Sequence, residues 1–141
     1  MEIKDQNQLH FMGVDVFDLH FRFENYYDNI SKINLNAIPK VFYPEDQNTF
    51  KIIYEVELMA KNFFKLECVC VGDFILQGEI SKELKHSFVN KNAPAIMFPY
   101  IRSLISTISS NLGKSTGTLT IPTQFFSGDL EEIKENPHQS S

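Results

Sequence analysis

Apolar and polar side chains alternate through most of the first half of the chain. In Phe17–Glu24, "FDLHFRFE", Phe17, Leu19, Phe21 and Phe23 fall on one face, and Asp18, His20, Arg22 and Glu24 on the other. A period of two is the mark of a half-buried strand in an antiparallel sheet. Upstream, Leu9 and Phe11 keep this phase but Val14 and Val16 do not. The pattern therefore predicts bulges near Gly13 and near Val16. A shorter extended piece, "KINLNAIP", follows at Lys32–Pro39. Next, Ile52, Tyr54, Val56, Leu58 and Ala60 share one face, opposite Lys51, Glu55, Glu57 and Lys61. "FKLECVCVGDFIL" starts at Phe64, so this pair reads as a hairpin turning around Asn62, with a kink or bulge at Gly72. The expectation is a four-stranded antiparallel sheet with one apolar and one charged face.

The period then changes. "GEISKELKHSFVNKN" is polar and partly helical in character. From Ala95 to Gly113, Phe98, Ile101, Ile105, Ile108 and Leu112 follow helical spacing, with Leu104 widening the stripe. Pro94 and Pro99 bracket the helix start, because proline is tolerated in a first turn, and Gly113 supplies a stop. "GTLTIPTQFF" is extended and apolar. Asp129 with Glu132 has the spacing of a capping box, which predicts a short C-terminal helix. The fold class is α+β in a single domain over 1–141, with residues 1–8 and 136–141 expected to fray.

The long helix poses the main question. Between Ala95 and Leu112 its only charged residue is Arg102. The side away from the apolar stripe carries Ser103, Ser106, Thr107 and Ser110, which are small and uncharged. Burial on both sides is the economical explanation, with the sheet below and the helix of another subunit above. These four residues are the candidate oligomer interface.

Composition narrows the class. The chain has 141 residues, 43% hydrophobic and 22% charged, which suits one soluble globular unit. Thirteen Phe and five Tyr beside no Trp exceed what a minimal core needs. A net charge of −5 argues against a nucleic-acid binder, which needs a basic face. The N-terminus has no apolar core of a signal peptide, and no apolar run is long enough to insert into a membrane. A cytoplasmic location is expected.

No motif reads as catalytic. Cys68 and Cys70, the chain's two cysteines, fall on the apolar face of a strand; with no second cysteine pair and four scattered histidines they read as core packing rather than as a metal site. "GKST" at Gly113–Thr116 echoes a phosphate loop, but Ile108 stands where the first glycine belongs and the segment follows its helix instead of preceding one. No nucleophile elbow surrounds the helix serines. Glu55 and Glu57 lie beside Lys51 and Lys61 on a solvated face. The expectation is a non-enzyme with no cofactor and no metal.

At this point the motifs carry a resemblance. "AIMFPYIRSLISTISSNLG", with Phe98-Pro99-Tyr100 and Arg102, resembles the long helix of the SecB family of bacterial export chaperones. "LTIPTQF" is similar to the SecB stretch ending in Pro-x-x-Phe, here Pro122 and Phe125. "INLN" and "FKIIYEVELMAKNFFKLECVCVGDF" match the second to fourth strands in order and spacing. The resemblance runs from about Phe11 to Phe126 and implies a SecB-like subunit in a homotetramer, a dimer of dimers. It also implies ATP-independent binding of unfolded, export-bound polypeptides in apolar grooves. The groove candidates are Tyr26, Tyr27, Ile30, Leu119, Ile121, Phe125 and Phe126; aromatic side chains supply adaptable contact area for extended chains.

The resemblance further implies docking of the translocase motor SecA on acidic residues of the exposed sheet face. Asp18 and Glu67 occupy two such positions. Arg22 replaces a second acidic residue, and Lys65 an apolar contact, changes that weaken an electrostatic contact. A SecB-like chaperone dedicated to one client, such as an antitoxin, fits that altered face. A different class, a small apolar-ligand binding protein or an enzyme with a closed cavity, lacks any convergent polar cluster in its support.

Overall fold

The computed structural model describes residues 8–45, 48–121 and 128–134. Strands β1 (Leu9–Phe23), β2 (Asn34–Phe42), β3 (Thr49–Ala60) and β4 (Phe64–Leu76) precede a helical stretch, and a short strand β5 (Glu131–Ile133) follows it. The sheet order is β1-β4-β3-β2-β5. The first four strands pair antiparallel, while β5 runs parallel to β2 with Glu131 opposite Lys40 and Ile133 opposite Phe42. This corrects the expected four-stranded antiparallel sheet: the sheet is five-stranded and mixed. It also corrects the short C-terminal helix over these residues, since Glu131–Ile133 are strand. Edge pairing, which depends on contacts remote in sequence, outweighs the local capping pattern of Asp129 and Glu132.

The β3–β4 hairpin turns where the sequence places it. Asn62 adopts φ +74°, Phe63 N–H donates to the Ala60 carbonyl, and Ala60 faces Phe64. Asparagine tolerates this left-handed conformation better than most residues. Gly72 does not bulge β4, whose pairing with β3 runs unbroken past it. Its role is space: a Cβ there would lie 2.6 Å from Met97 Sδ.

Strand β1 has two register shifts, one between Phe11 and Gly13 and the other between Phe17 and His20. The first lies where alternation breaks near Gly13. The second falls at Asp18–Leu19, with Asp18 at φ +51°, rather than near Val16. Its position decides which way Phe17 points. Phe17 pairs with Val69 and joins Phe42, Ile53, Val71 and Ile133 on the face away from the helix. That face is therefore not purely charged but carries an apolar island.

The helical stretch starts earlier than the prolines suggest. Helix α1 (Lys82–Ser87) is capped by Ser81, whose Oγ accepts from Leu84 N–H at 3.1 Å. A π turn at Phe88–Asn92 leads into α2 (Ala93–Ser110). Pro94 has no N–H to bond back along the helix, and the wider turn before it accommodates that gap. Phe88, Val89, Ala93, Met97, Phe98, Ile101 and Ile105 are buried against Phe50, Ile52, Leu58, Leu66 and Phe74 of the sheet. Tyr54 Oη donates to the Pro94 carbonyl across this core.

Candidate functional site

A groove of about 920 Å³ opens at the end of the sheet where β1 leaves it and α2 ends. Phe23, Tyr26 and Tyr27 line one side, and Leu112, Gly113, Lys114 and Ser115 the other. The crossover between β1 and β2 is held in shape by its own polar groups. Asp28 accepts from Ile30 N–H, Ser31 N–H and the Ser31 hydroxyl, which together hold its carboxyl below the usual range; the hydroxyl contributes most. Tyr27 N–H donates to Ser115 Oγ at 2.9 Å, and its hydroxyl donates to the Ser31 carbonyl. The Tyr27 ring packs edge-on against Phe63 and Phe64. Tyr27 thus fastens the crossover to the loop after α2.

Tyr26 and Ile30, by contrast, each keep 89% of their surface in water. Two large apolar side chains so exposed on a hydrogen-bonded loop, one of them lining a groove, form a surface suited to binding. The groove wall includes Glu24 and Lys114 among neutral groups, so it carries charge of both signs. Leu119 and Ile121 do not line it but are buried in the core. Phe125 and Phe126 lie outside the described residues.

The charge-poor side of α2 has an internal partner that the sequence reading did not foresee. Ser106 Oγ donates to the Leu119 carbonyl, Leu119 N–H donates to Ser109 Oγ at 2.8 Å, and Arg102 Nε donates to the Ile121 carbonyl at 2.9 Å. The helix side chains thus satisfy the backbone of the extended segment 118–121, as a neighbouring strand would. Of the four interface candidates, Ser106 serves this segment and Ser110 donates to carbonyls of its own helix. Ser103 and Thr107 are exposed and line a smaller groove of about 280 Å³ with Val14, Val16, Tyr100 and Leu104.

On the far sheet face, Asp18 and Glu67 line a depression of about 290 Å³ together with His20, Asn36, Glu55 and Glu57. Lys65 neutralises part of it, reaching Glu67 at 3.3 Å and Glu57 at 3.6 Å. The hydrogen bond to Glu67, followed by the charges of both glutamates, raises the Lys65 pKa. Cys68 and Cys70 are buried free thiols beneath α2. The hydrogen bond to Cys68, then burial, pushes the Cys70 thiol up. Among the described residues no cluster of His, Cys, Asp and Glu could hold a metal ion, and no helix is long and apolar enough to cross a membrane.

The sheet order, the long helix across one face and the crossover groove define a SecB-like α+β fold. The fold is shared with the SecB-like chaperone Rv1957 of Mycobacterium tuberculosis, solved in complex with a ChAD peptide from the Rv1956 HigA1 antitoxin. The two chains superpose with a TM-score of 0.65 at 12% identity, over 84% of this chain and 94% of that one. A protein of unknown function from Streptococcus agalactiae matches with a TM-score of 0.49 at 13% identity, over 82% of this chain and 98% of that one. No family model matches the sequence, and no curated protein matches it. The resemblance read from Phe98-Pro99-Tyr100 and Arg102 is thereby met at the level of the fold.

Proposed function

We propose that the protein is an ATP-independent holdase chaperone that binds apolar segments of unfolded polypeptides in the crossover groove. The observation that carries this reading is the exposure of Tyr26 and Ile30 on a crossover pinned by Tyr27. The shared fold with a chaperone solved with a bound peptide supports it. No step of such binding requires a cofactor or bond-breaking chemistry. Extended clients would place side chains against Tyr26, Tyr27 and Ile30 and use main-chain contacts at the open edge of β2. A homo-oligomer assembled through β1 and α2 would set several such grooves on one particle.

A second reading, dedication to one client, is favoured by a specific observation. Lys65 already pairs with Glu67 and Glu57 on the face where the family resemblance implies SecA docking. A docking face so neutralised offers less attraction to a basic partner. The Rv1957 complex holds an antitoxin peptide, and an antitoxin is a suitable single client here too.

The test is suppression of aggregation of several unrelated unfolded proteins at near-stoichiometric ratios. The general holdase protects most of them, whereas a dedicated chaperone protects one neighbouring client alone. Tyr26→Ser should weaken client binding roughly tenfold, in the range of an exposed aromatic anchor, and leave thermal stability unchanged. Unchanged affinity in this variant removes the crossover from the site.

A further inference from the structure

The strand β5 sits on an edge that strands seek. Its pairing with β2 spans only Lys40–Phe42. The rest of the outer edge, Asn34–Pro39, pairs with no strand among the described residues. An edge of unpaired N–H and C=O groups is a template for adding an extended chain. This edge begins where the crossover ends and carries Ile38, which is 42% exposed. A polypeptide leaving the crossover groove along β2 therefore meets β5 at Lys40.

The attachment of β5 has a firm end and a loose end. At the firm end, Leu130 is buried in the main core and its N–H donates to Asn90 Oδ1 at 2.7 Å. Asn90 is itself fixed by donating from Nδ2 to the His86 carbonyl. His86 Nε2 lies 2.8 Å from Asp129 Oδ1, but both side chains are mostly in solvent. Beyond Leu130, Glu131 and Glu132 are exposed, and Ile133 is the one apolar side chain, half-buried on Phe42, Ile53 and Val71. The ion pair of Lys134 with Glu132 lies within the segment and does not tie it to the sheet.

We infer that Glu131–Lys134 is an intramolecular competitor for client strands, hinged at Leu130 and displaced from β2 when a long extended segment binds. This inference rests on the holdase reading and adds regulation to its site. Displacement frees the Lys40–Phe42 edge and uncovers the Phe42, Ile53 and Val71 island. Clients long enough to reach past Pro39 gain both surfaces, and shorter ones compete poorly. The segment itself indicates the client chemistry: an extended strand with an apolar residue at the position of Ile133, seated on Phe42, Ile53 and Val71.

The test locks the strap. Lys40→Cys with Glu131→Cys places two thiols on directly opposed residues of neighbouring strands, within the reach of a disulfide. The probe is carboxymethylated lactalbumin, a permanently unfolded chain. Oxidising the doubly substituted protein should weaken probe binding about tenfold relative to the same protein reduced. In the opposite direction, Ile133→Asn should loosen the strap and tighten binding several-fold. Hydrogen exchange should show added probe protecting β2 amides while those of 131–133 become exposed. Equal binding by oxidised and reduced forms, or unchanged or weaker binding by Ile133→Asn, overturns the inference and leaves the holdase reading standing. Failure of every form to bind the probe sinks the inference together with the general holdase reading and leaves only a dedicated-client chaperone.

Discussion

Tyr54 shows how a single side chain can tie the sheet to the helix and report on the tie. Only 4% of its surface is exposed, and burial pushes its pKa up to about 12. Its hydroxyl donates to the Pro94 carbonyl at 3.4 Å, a long bond at the point where the π turn passes into α2. An unfolded tyrosine ionises near pH 10, so between about 10 and 12 the folded chain binds more protons than the unfolded one. Stability from this group is complete below pH 10 and is lost as pH rises toward 12. The shift corresponds to at most about 2–3 kcal/mol. Tyr54→Phe should cost no more than about 1 kcal/mol at neutral pH, since the bond is long. Denaturant titrations at pH 7 and pH 11 should show a smaller alkaline loss for the variant than for the wild type. An identical loss in both would place the alkaline sensitivity in another group.

Among the elements, the join between α2 and segment 118–121 is the least orthodox. Ser109 is fully buried, accepts from Leu119 N–H and donates to the Ser106 carbonyl. Ser109→Ala leaves the Leu119 donor buried without a partner and should cost about 1–3 kcal/mol; thermal melts of the variant check this, and an unchanged midpoint would mean that water or a shifted Ser106 replaces the bond. The sequence showed that this helix side avoids charge but not what it touches, because helix serines bonding to a remote backbone leave no periodic signal. The same limit applies elsewhere. Alternation located the β3–β4 hairpin and its turn at Asn62, where each residue's face is set by its neighbours two positions away. It put Phe17 on the wrong face, since moving a bulge from Val16 to Asp18 changes the local pattern little yet reverses one side chain. β5 was illegible because a three-residue parallel strand owes its existence to the β2 edge and to Leu130 in the core. Tyr26 and Tyr27, groove candidates through the SecB resemblance, line the crossover groove, whereas Leu119 and Ile121, named on the same ground, are buried in the core.

At the scale of the whole molecule, the two sheet edges are treated differently. The β2 edge has Pro39 and β5 to guard it, but the outer edge of β1 pairs with no strand among the described residues. β1 is 15 residues long, and Met12, Val16, Leu19 and Phe23 along it are 60%, 41%, 46% and 39% exposed. A long apolar edge is an aggregation hazard unless a partner covers it. Beside it, Val14, Val16, Tyr100, Leu104, Ser103 and Thr107 line the smaller groove against α2, so edge and helix form one continuous surface. The lack of charge on Ser103 and Thr107 keeps the desolvation cost of covering that surface low. The expected state in solution is a homo-oligomer in which β1 and α2 meet their copies, and light scattering should give a multiple of the 16.3 kDa subunit. Ser103→Glu with Thr107→Glu puts charge on exposed helix positions that the subunit fold does not use. The pair should lower the assembly state while circular dichroism stays that of the wild type. Val16→Lys tests the edge separately, since a charge beside Cys70 and Tyr100 opposes pairing along β1. A wild-type monomer would remove the assembly role from this surface, and the exposed residues of β1 would then need a partner of another kind.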